Sequence, residues 1–378
     1  MRNLLFTIET LKGGGAERVL LNLLKNLDTD KFSLTLFLLS KEGVYVKDLP
    51  PHVTVLYLFS DPNQIKSPIY KFLYKAYRWL LVKLFVRFPY ALRFFVHIKG
   101  HYDVGISFCE GLNSAVLVHD KANFDRLISW IHIDFSKHRA NITNDKILHY
   151  LKSFESIIFV SEDAKDGFLQ VFPELNGCTD LSVVYNPIAI DAIMNVADAK
   201  PFNKRRTTLL SVGRLSSQKR FDKLIRVQRM LQDDHIFCDI FIIGEGPEKN
   251  NLEKLIKKLR LDDSVKLLGF RDNSYEWINH ADILVMTSDY EGLPLVICEA
   301  MVLKKAILST NVTGPRELLE DGKYGLLVDN NDDAIYIGLK ELLKNPMLIN
   351  HYQNVLSNNQ GNFIFTSSLS QIEDILSI

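Results

Sequence analysis

Short apolar runs alternate with amphipathic segments along the whole chain. Branched and aromatic runs predict strands in the first half at 4–8, 32–39, 53–58, 102–108, 127–131 and 156–160, and a further apolar run follows at 181–187. In the second half, runs that predict strands lie at 208–212, 239–243, 265–268, 283–288, 305–309 and 325–328. Apolar positions at helical spacing predict helices at 222–231, 248–259, 276–280, 295–303, 316–320 and 332–343. This alternation predicts an α/β fold with a mostly parallel, doubly wound sheet in each half.

One strand-to-helix junction, residues 283–300, carries two carboxylates. The apolar run stops at Asp289, and Pro294 suits the first position of the following helix. Glu291 therefore falls in the connecting turn, and Glu299 falls within the helix. Peptide N–H groups at such a junction favour phosphate, whereas carboxylates would repel phosphate and favour neutral hydroxyls. We therefore expect a ligand that has both phosphate and sugar.

Composition sets the broad class of the protein. A chain of 378 residues with 47% hydrophobic residues is typical of two globular domains. The balance of 45 basic against 45 acidic residues argues against nucleic acid as a partner. The four cysteines are scattered without a CxxC pair, which favours a reduced, cytoplasmic protein without structural zinc. We expect neither a signal peptide nor a membrane-spanning segment.

A glycine loop follows the first predicted strand, with the sequence Lys-Gly-Gly-Gly-Ala-Glu-Arg at 12–18, and a helical pattern begins after it. Strand, glycine loop and helix N-terminus together could hold an anion, although the glycines could equally form only a tight turn. Arg18 stands where the dinucleotide fingerprint needs its third glycine, so this is not that fingerprint. The acidic pair Asp28 and Asp30 is best read as a solvated turn and not as a metal site.

Residues 66–99 are basic and aromatic. They include eight Lys or Arg and no Asp or Glu. Such a segment could form amphipathic helices that contact an anionic membrane surface, or helices that pack on the core and expose their charges to water. We favour the membrane surface, and the candidate contact residues are Lys71, Lys75, Arg78, Lys83 and Arg87.

His132 ends the predicted strand 127–131. A side chain at the carboxyl end of a parallel strand faces the crevice where ligands bind. Judged by position alone, a structural histidine with satisfied hydrogen bonds remains the better interpretation.

Two further loops follow predicted strands of the second half. Arg214 and Lys219 come after the strand 208–212, and together they could bind a diphosphate. Gly244 and Gly246 come after the strand 239–243, in a bare turn that a base or ribose could approach. Each loop could also be only a surface turn or a helix entry, but we do not expect their common position after strands to be accidental.

Taken together, these motifs resemble the retaining GT-B glycosyltransferases of family 4. The resemblance covers nearly all of the second half and rests on Gly213-Arg214 with Gln218-Lys219, Gly244-Glu245-Gly246-Pro247, Leu268-Gly269-Phe270, and Glu291 with Glu299. In the first half, the glycine loop 13–18 and Ser129-Trp130-Ile131-His132 resemble members that build bacterial surface polysaccharides.

This resemblance implies a GT-B fold in which two Rossmann-like domains face a cleft, and a role for each matched residue. Arg214 and Lys219 would bind the diphosphate of a nucleotide sugar, Glu291 would hold sugar hydroxyls, and Glu299 would bind the ribose. His132 would face the sugar near the reacting carbon. The remaining donor-binding residues would be Gly14, Gly15, Gly244, Gly246, Phe270, Gly292, Leu293, Pro294 and Leu295.

The resemblance also implies the domain plan and partners. Residues 1–190 would form the acceptor-side domain, residues 206–360 the nucleotide-sugar-binding domain, and residues 367–378 a helix that returns to the first domain. Independently of the resemblance, the polar and charged residues 198–207 predict a linker, and we place the boundary between Pro187 and Arg206. We expect no metal or other cofactor, because cationic side chains would take its place.

The expected activity is a retaining hexosyltransferase that moves a sugar, preferably UDP-linked, to a lipid-linked or polysaccharide acceptor. It would act in the cytoplasm on the inner face of the membrane, in bacterial surface glycan synthesis. Two alternatives stay open at this point. One is a nucleotide-sugar epimerase or dehydrogenase, and the other is a non-catalytic subunit that anchors a transferase.

Overall fold

The chain forms two compact units. The computed structural model describes residues 1–136, 144–195 and 203–378. One unit comprises Met1–Pro187 together with Ser367–Ile378, and the other comprises Ile188–Thr366. The boundary therefore falls at the N-terminal end of the predicted boundary region. Residues 198–202 of the predicted linker lie outside the described residues.

The first unit is built on a parallel sheet. Within the described residues its strands are β1 (Arg2–Ile8), β2 (Phe32–Ser40), β3 (Thr54–Phe59), β4 (Tyr102–Ser107), β5 (Phe124–Ile131), β6 (Ser156–Phe159) and β7 (Asp180–Val183). Their order across the sheet is β3-β2-β1-β4-β5-β6-β7, and neighbouring strands run parallel. The central strands are buried on both faces, which is why they are almost continuously apolar in sequence.

Helices cover this sheet. Before residue 188 the described helices are α1 (Gly15–Asn26), α2 (Pro68–Arg87), α3 (Leu112–His119), α4 (Asn144–Leu151) and α5 (Glu162–Val171). Sequence features explain where helices begin and which face they bury. Ser161, for example, caps α5 by accepting a hydrogen bond from the N–H of Ala164. In α1, leucine and valine at helical spacing form the buried face.

The basic segment 66–99 forms one long helix, α2, followed by a 3₁₀ turn at Pro89–Phe94. Leu81 and Phe85 pack inward, but most of the other large apolar side chains are exposed. On α2 these exposed residues are Ile69, Tyr70, Phe72, Leu73, Tyr77, Trp79, Leu80 and Leu84. A contiguous apolar surface of this kind is unusual on a protein that meets only water.

The structure corrects the orientation expected for one of the basic residues on α2. Arg78 donates to Ser40 Oγ at 2.9 Å and to Glu42 Oε2 at 2.7 Å, so its guanidinium is turned toward the protein. Lys71 lies on the same half-buried side of the helix. Lys75, Lys83 and Arg87 are exposed, and the ammonium of Lys83 sits 3.8 Å from the ring centre of Trp79.

The second unit has its own parallel sheet. Within its described residues the strands are β8 (Thr208–Val212), β9 (Asp239–Ile243), β10 (Val265–Leu267), β11 (Ile283–Met286), β12 (Ala306–Thr310) and β13 (Leu326–Val328). The strand order is β10-β9-β8-β11-β12-β13. The connections therefore reverse direction between β8 and β11, and such a switch point is where open α/β sheets bind ligands.

The helices of the second unit alternate with these strands. Between residues 188 and 366 the described helices are α6 (Ile190–Met194), α7 (Phe221–Asp233), α8 (Lys249–Lys258), α9 (Ser274–His280), α10 (Leu295–Val302), α11 (Pro315–Leu318), α12 (Asp332–Lys344) and α13 (Pro346–Asn358). The sequence prediction missed α13, whose polar positions weaken the helical pattern. Helix α10 begins at Leu295, as the apolar spacing predicts, but Pro294 is its N-cap and not its first residue.

The C-terminal helix, α14 (Ser368–Ser377), belongs to the first unit. Arg126 donates to the carbonyl of Ile375 at 3.0 Å, and Glu373 accepts from the Asp28 N–H at 3.2 Å. Ile372 and Leu376 are fully buried. The last twelve residues of the chain are therefore part of the first domain's fold.

None of the helices within the described ranges is both long enough and apolar enough to cross a membrane.

Replacing the buried Ile372 by alanine is expected to destabilise the first unit by about 2–5 kcal/mol, because the cavity is lined by packed side chains. Urea unfolding measures this change. Ile378→Ala is the matched control, since Ile378 is 79% exposed and its loss should cost under about 0.5 kcal/mol. If both variants unfold at the wild-type urea concentration, α14 does not contribute to the fold in this way.

Candidate functional site

Lys219 and Glu291 meet at the switch point of the second sheet. Lys219 follows β8 and Glu291 follows β11, and the Lys219 Nζ to Glu291 Oε1 distance is 2.6 Å. The exposed fraction of the side chain is 19% for Lys219 and 9% for Glu291. The structure thus joins in one ion pair two residues that the sequence assigned to different parts of a ligand. Partial exclusion of water makes this charge pair stronger than one on the surface.

Backbone contacts hold the two loops together around this pair. Gln218 donates its amide to the carbonyl of Tyr290 at 2.7 Å, and the Asp289 N–H donates to the carbonyl of Gln218 at 2.9 Å. Thr287 Oγ1 lies 3.0 Å from the carbonyls of both Lys219 and Arg220. These bonds replace the strand ladder beyond Met286, which is why β11 is shorter than the sequence predicted.

Asp289 is the centre of a charged network behind the loop. Arg220 donates to both carboxylate oxygens of Asp289, at 3.1 and 3.2 Å, and Lys223 donates to one of them at 3.1 Å. Asn330 donates to the same carboxylate. Burial alone would raise the pKa of Asp289, but these hydrogen bonds outweigh it and lower the pKa. Asp289 is therefore held as a carboxylate, which fixes the loop two residues before Glu291.

The loop after β12 supports Glu291 from the other side. Thr313 Oγ1 donates to the carbonyl of Glu291 at 2.9 Å. Gly314 has a φ of 66°, and a Cβ there would stand 2.0 Å from the carbonyl oxygen of Gly292. Only glycine allows this close approach of the two backbones.

Two glycines of the loop after β9 also have a packing role. A Cβ on Gly244 would stand 1.9 Å from the carbonyl oxygen of Gly213, and one on Gly246 would stand 2.3 Å from that of Leu215. These contacts press the loop after β9 against the loop that carries Arg214. Packing alone therefore explains both glycines, and their contact with a ligand stays a prediction.

The other predicted donor-binding residues of the second unit lie at the same sheet edge or in α10. Arg214 is exposed, and Phe270 follows β10 with 36% of its surface exposed. Gly292, Leu293, Pro294 and Leu295 form the entry to α10, and Glu299 is buried within that helix with 3% exposed. The structure brings Lys219 and Glu291 into contact; the ligand contacts of the others stay predictions.

The glycine loop of the first unit already holds a carboxylate. Glu17 Oε2 accepts from the N–H of Gly13 at 2.6 Å and from the N–H of Gly14 at 2.9 Å, while its other oxygen accepts from Thr10 Oγ1. Gly15 begins α1, and a Cβ there would meet open space. Two of the peptide groups expected to cradle a phosphate are thus bound by the protein's own acid.

His132 lies at the carboxyl end of the first sheet, directly after β5. Its ring centre is 4.9 Å from that of Phe108 and 6.2 Å from that of Trp130. Its Nε2 atom is buried and has no hydrogen-bond partner among the described residues. Burial lowers the pKa of His132 from 6.5 to about 3, so the imidazole is neutral at physiological pH. A neutral ring with an unpartnered nitrogen can bind a hydroxyl group.

Sequence reasoning missed Glu110, the residue that contacts the backbone of His132. Its Oε1 accepts from the N–H groups of His132 and Ile133. Burial raises the pKa of Glu110 to about 7, with Glu9 nearby adding repulsion. The available signal was its position, since it is a carboxylate three residues after strand β4, at the carboxyl edge of the sheet.

The two groups have opposite effects on stability as pH changes. Glu110 binds a proton more tightly in the folded than in the unfolded protein, so its contribution is present below pH 4.5 and is lost as pH rises through 7. His132 binds a proton less tightly when folded, so its contribution is present above pH 6.5 and is lost as pH falls toward 3.

A cleft of about 570 Å³ opens beside α7 and α8 in the second unit. Gln218, Asp289 and Tyr290 line it, but Lys219 and Glu291 do not. The cleft therefore borders the loops that carry the charged pair, although the pair itself is not part of its lining.

The second unit matches a known family. Residues 195–361 match the model of the family described as glycosyl transferases group 1. The match includes the loops that carry Lys219 and Glu291.

Named relatives cover more of the chain. An N-acetylgalactosamine-N,N'-diacetylbacillosaminyl-diphospho-undecaprenol 4-alpha-N-acetylgalactosaminyltransferase of Campylobacter jejuni is 29% identical over 366 residues, 94% of this chain and 93% of its own. The amylovoran biosynthesis glycosyltransferase AmsD of Erwinia amylovora is 27% identical, over 66% of this chain and 70% of its own.

Solved structures share the fold. HepE of Anabaena, crystallised with UDP, superposes over 100% of both chains with a TM-score of 0.72 at 19% identity. TarM of S. aureus superposes over 100% of both chains with a TM-score of 0.71 at 14% identity. The chain has the GT-B fold, with two Rossmann-like α/β domains. Together with the family match, these comparisons show that it is an enzyme, a glycosyltransferase of the hexosyltransferase type.

Lys219→Met is expected to lower the free energy of unfolding by about 2 kcal/mol, because it leaves a buried Glu291 carboxylate without its hydrogen-bonded cation. Adding Glu291→Gln should recover part of the loss, since no unpaired charge then remains. Thermal denaturation of the single and double variants measures both effects.

Lys249→Met is the control. Lys249 pairs with Glu245 at 3.1 Å, but both side chains are at least 40% exposed, so its loss should be nearly neutral. A Lys219→Met variant as stable as Lys249→Met would contradict the view that the inner pair is stabilising.

Proposed function

We propose that this glycosyltransferase is a retaining enzyme of family 4 that transfers a sugar from a UDP-linked donor to a lipid-linked or polysaccharide acceptor in bacterial surface glycan synthesis. The observation that carries the proposal is the Lys219–Glu291 pair at the switch point between β8 and β11. In this pair a cation that would bind phosphate is hydrogen-bonded to a carboxylate that would bind sugar hydroxyls. A sugar diphosphate carries phosphate and sugar hydroxyls side by side, so it needs a cation and a carboxylate close to each other.

The relatives support the choice of donor and acceptor. The Campylobacter jejuni relative is named for transfer of N-acetylgalactosamine to a glycan on diphospho-undecaprenol. The Erwinia relative is named for amylovoran biosynthesis, and another relative for synthesis of the lipopolysaccharide core. HepE was crystallised with UDP and with UDP-glucose. We infer a similar donor and acceptor class for this chain.

Charge development explains the roles of the basic residues. As the bond between the anomeric carbon and the phosphate oxygen breaks, negative charge grows on the diphosphate. Fixed donors at that position stabilise the transition state and are usually a major catalytic contribution. We assign this role to Arg214 and Lys219, and we propose that these cations stand in for a metal ion. Lys219 would exchange Glu291 for the diphosphate when the donor binds.

Glu291, released from Lys219, would accept hydrogen bonds from sugar hydroxyls. The entry to α10, from Gly292 to Leu295, would direct peptide N–H groups to the donor, and Glu299 would bind the ribose. Gly244, Gly246 and Phe270 would border the nucleoside.

In the first unit, Gly14 and Gly15 would allow close approach of the substrates, and the neutral imidazole of His132 would bind a sugar hydroxyl. A front-face displacement is the retaining mechanism that we propose. The acceptor oxygen bonds to the anomeric carbon on the face that the phosphate leaves, and the acceptor proton passes to the departing phosphate oxygen. This route needs no covalent nucleophile from the protein.

The acceptor side would lie at the inner face of the membrane. The exposed surface of α2 combines apolar side chains with Lys75, Lys83 and Arg87, a composition that suits the headgroup region of an anionic bilayer. Arg78 is excluded from this surface because Glu42 and Ser40 bind it.

Incubation with a panel of UDP-, GDP- and ADP-sugars in EDTA should show slow hydrolysis of one UDP-sugar and a raised melting temperature with the same compound. Arg214→Ala should lower the turnover by about 10²–10³-fold without changing the melting temperature of the free protein. Hydrolysis that requires added metal would contradict the proposed role of the cations. If no compound in the panel is hydrolysed or raises the melting temperature, the transferase proposal is contradicted.

Flotation with anionic vesicles tests the membrane surface. Replacing Lys75, Lys83 and Arg87 by alanine should weaken binding roughly 10²-fold, at about 1 kcal/mol per charge near the surface. The matched control replaces three exposed lysines of α8, Lys254, Lys257 and Lys258, and should float like the wild type. Equal flotation of both triple variants would refute the assignment of α2.

The alternatives receive less support. An epimerase or dehydrogenase is not favoured, because the family match and the named relatives are glycosyltransferases. An anchoring subunit without activity is also less supported, because the relatives that span most of the chain are named as transferases.

A further inference from the structure

Glu110 joins two loops at the carboxyl edge of the first sheet. Strands β4 and β5 are parallel neighbours whose pairing ends at Ser107 and Ser129 in the ladder. Glu110 lies three residues beyond β4, and its Oε1 accepts from the N–H of His132 and, at 3.1 Å, from the N–H of Ile133. The Glu110 side chain thus links the segments after β4 and β5 beyond the point where the backbone pairing ends. It binds the N–H groups of His132 and Ile133, which orient the His132 backbone.

The ring of His132 is left with an unmet hydrogen bond. Its Nε2 atom is buried and has no partner within the parts of the chain that the structure describes. Phe108 and Trp130 flank the ring and supply no acceptor that would fix its rotation by hydrogen bonding. A buried polar atom without a partner is unfavourable, and a place for a bound water, ion or ligand is one explanation for such an atom in a native fold.

Glu110 contributes little to stability at neutral pH. It has no cationic partner among the described residues, and Glu9 faces it with the same charge, while Cys109 beside it is neutral. Burial raises the pKa of Glu110 to about 7, so the fold disfavours its ionised form. The presence of a carboxyl group in this environment is therefore better explained by its orientation of the His132 and Ile133 peptides than by a contribution to the stability of the fold.

We propose that Glu110 is a positioning residue for the transferase reaction, which holds the His132–Ile133 peptides so that the His132 imidazole faces a sugar hydroxyl. The inference rests on the proposed function for its substrate. The Oε1 atom of Glu110 is bound to the N–H groups of His132 and Ile133, so we assign Glu110 positioning and not proton transfer.

A double-mutant cycle tests the proposal. Glu110→Ala should lower kcat about 10²-fold with a smaller change in the donor KM, because a displaced His132 fails to stabilise the transition state. Glu110→Gln keeps an oxygen that accepts the same N–H groups and should stay within a few-fold of wild type. In a His132→Ala background, Glu110→Ala should have no further effect, since the residue acts through His132.

Glu155→Ala is the matched control. Glu155 Oε2 accepts from the N–H of Leu127 at 2.8 Å, a carboxylate-to-peptide bond to the same strand β5 nearer its other end. Its loss should reduce the melting temperature but leave kcat unchanged. Additive effects of Glu110→Ala and His132→Ala, or an equal loss of kcat in Glu155→Ala, would overturn the proposal in favour of a structural role.

A second readout does not depend on activity. With ¹⁵N-labelled histidine, the His132 ring should stay neutral down to pH 5 in the wild type, in Glu110→Gln and in Glu155→Ala. In Glu110→Ala the released ring should titrate between pH 5 and 7, as an ordinary histidine does. A ring that stays neutral in Glu110→Ala overturns the inference. A wild type inactive on every donor would instead refute the proposed function, while the spectra still decide the role of Glu110.

Discussion

The ion pair between Lys219 and Glu291 depends on one topological fact, that β8 and β11 are neighbours in the sheet although two strands separate them in sequence. The helices that follow these strands leave in opposite directions, and their loops open a gap at the carboxyl edge. Contacts on both sides fix the loops that border this gap. Arg220 and Lys223 donate hydrogen bonds to the Asp289 carboxylate and balance its charge. Gly314 allows the loop after β12 to approach the backbone of Gly292 closely. The result is a charged pair in the gap where we propose that the sugar diphosphate binds.

The two sheets handle charge at their ligand edges in opposite ways. In the second unit, the acids at the edge are paired, and the pKa of Asp289 is lowered despite its burial. In the first unit, Glu110 has no cationic partner among the described residues and its pKa is raised to about 7, while burial of the His132 ring keeps that imidazole neutral. An edge with paired charges suits a phosphorylated ligand, whereas an edge with weakly charged donors and acceptors suits hydroxyl groups. This contrast agrees with a donor that binds mainly to one unit and a neutral glycan that binds mainly to the other.

The sequence predicted the strands well because parallel strands buried on both faces are almost continuously apolar; β9, for example, spans the predicted residues Asp239–Ile243. The position of Lys219 and Glu291 after strands could also be predicted, but their direct contact could not, because it depends on strand order. Glu110 and Gly314 were missed for a related reason. Glu110 binds the N–H of His132 and Gly314 packs against the carbonyl of Gly292, and both contacts join loops that are about twenty residues apart in sequence. The face of α2 was misjudged because helical spacing shows which residues share a side but not which side packs inward, and Arg78 packs inward onto Glu42.

A crystal structure of the protein with a bound, non-hydrolysable UDP-sugar is the most direct test of the account. We predict that the Lys219 Nζ to Glu291 Oε1 distance, 2.6 Å in the free protein, opens beyond hydrogen-bond range. The ammonium should then contact the diphosphate, and the carboxylate should accept from hydroxyls of the sugar. A donor bound elsewhere, with the Lys219–Glu291 pair unchanged, would contradict the central claim that this pair is the donor site.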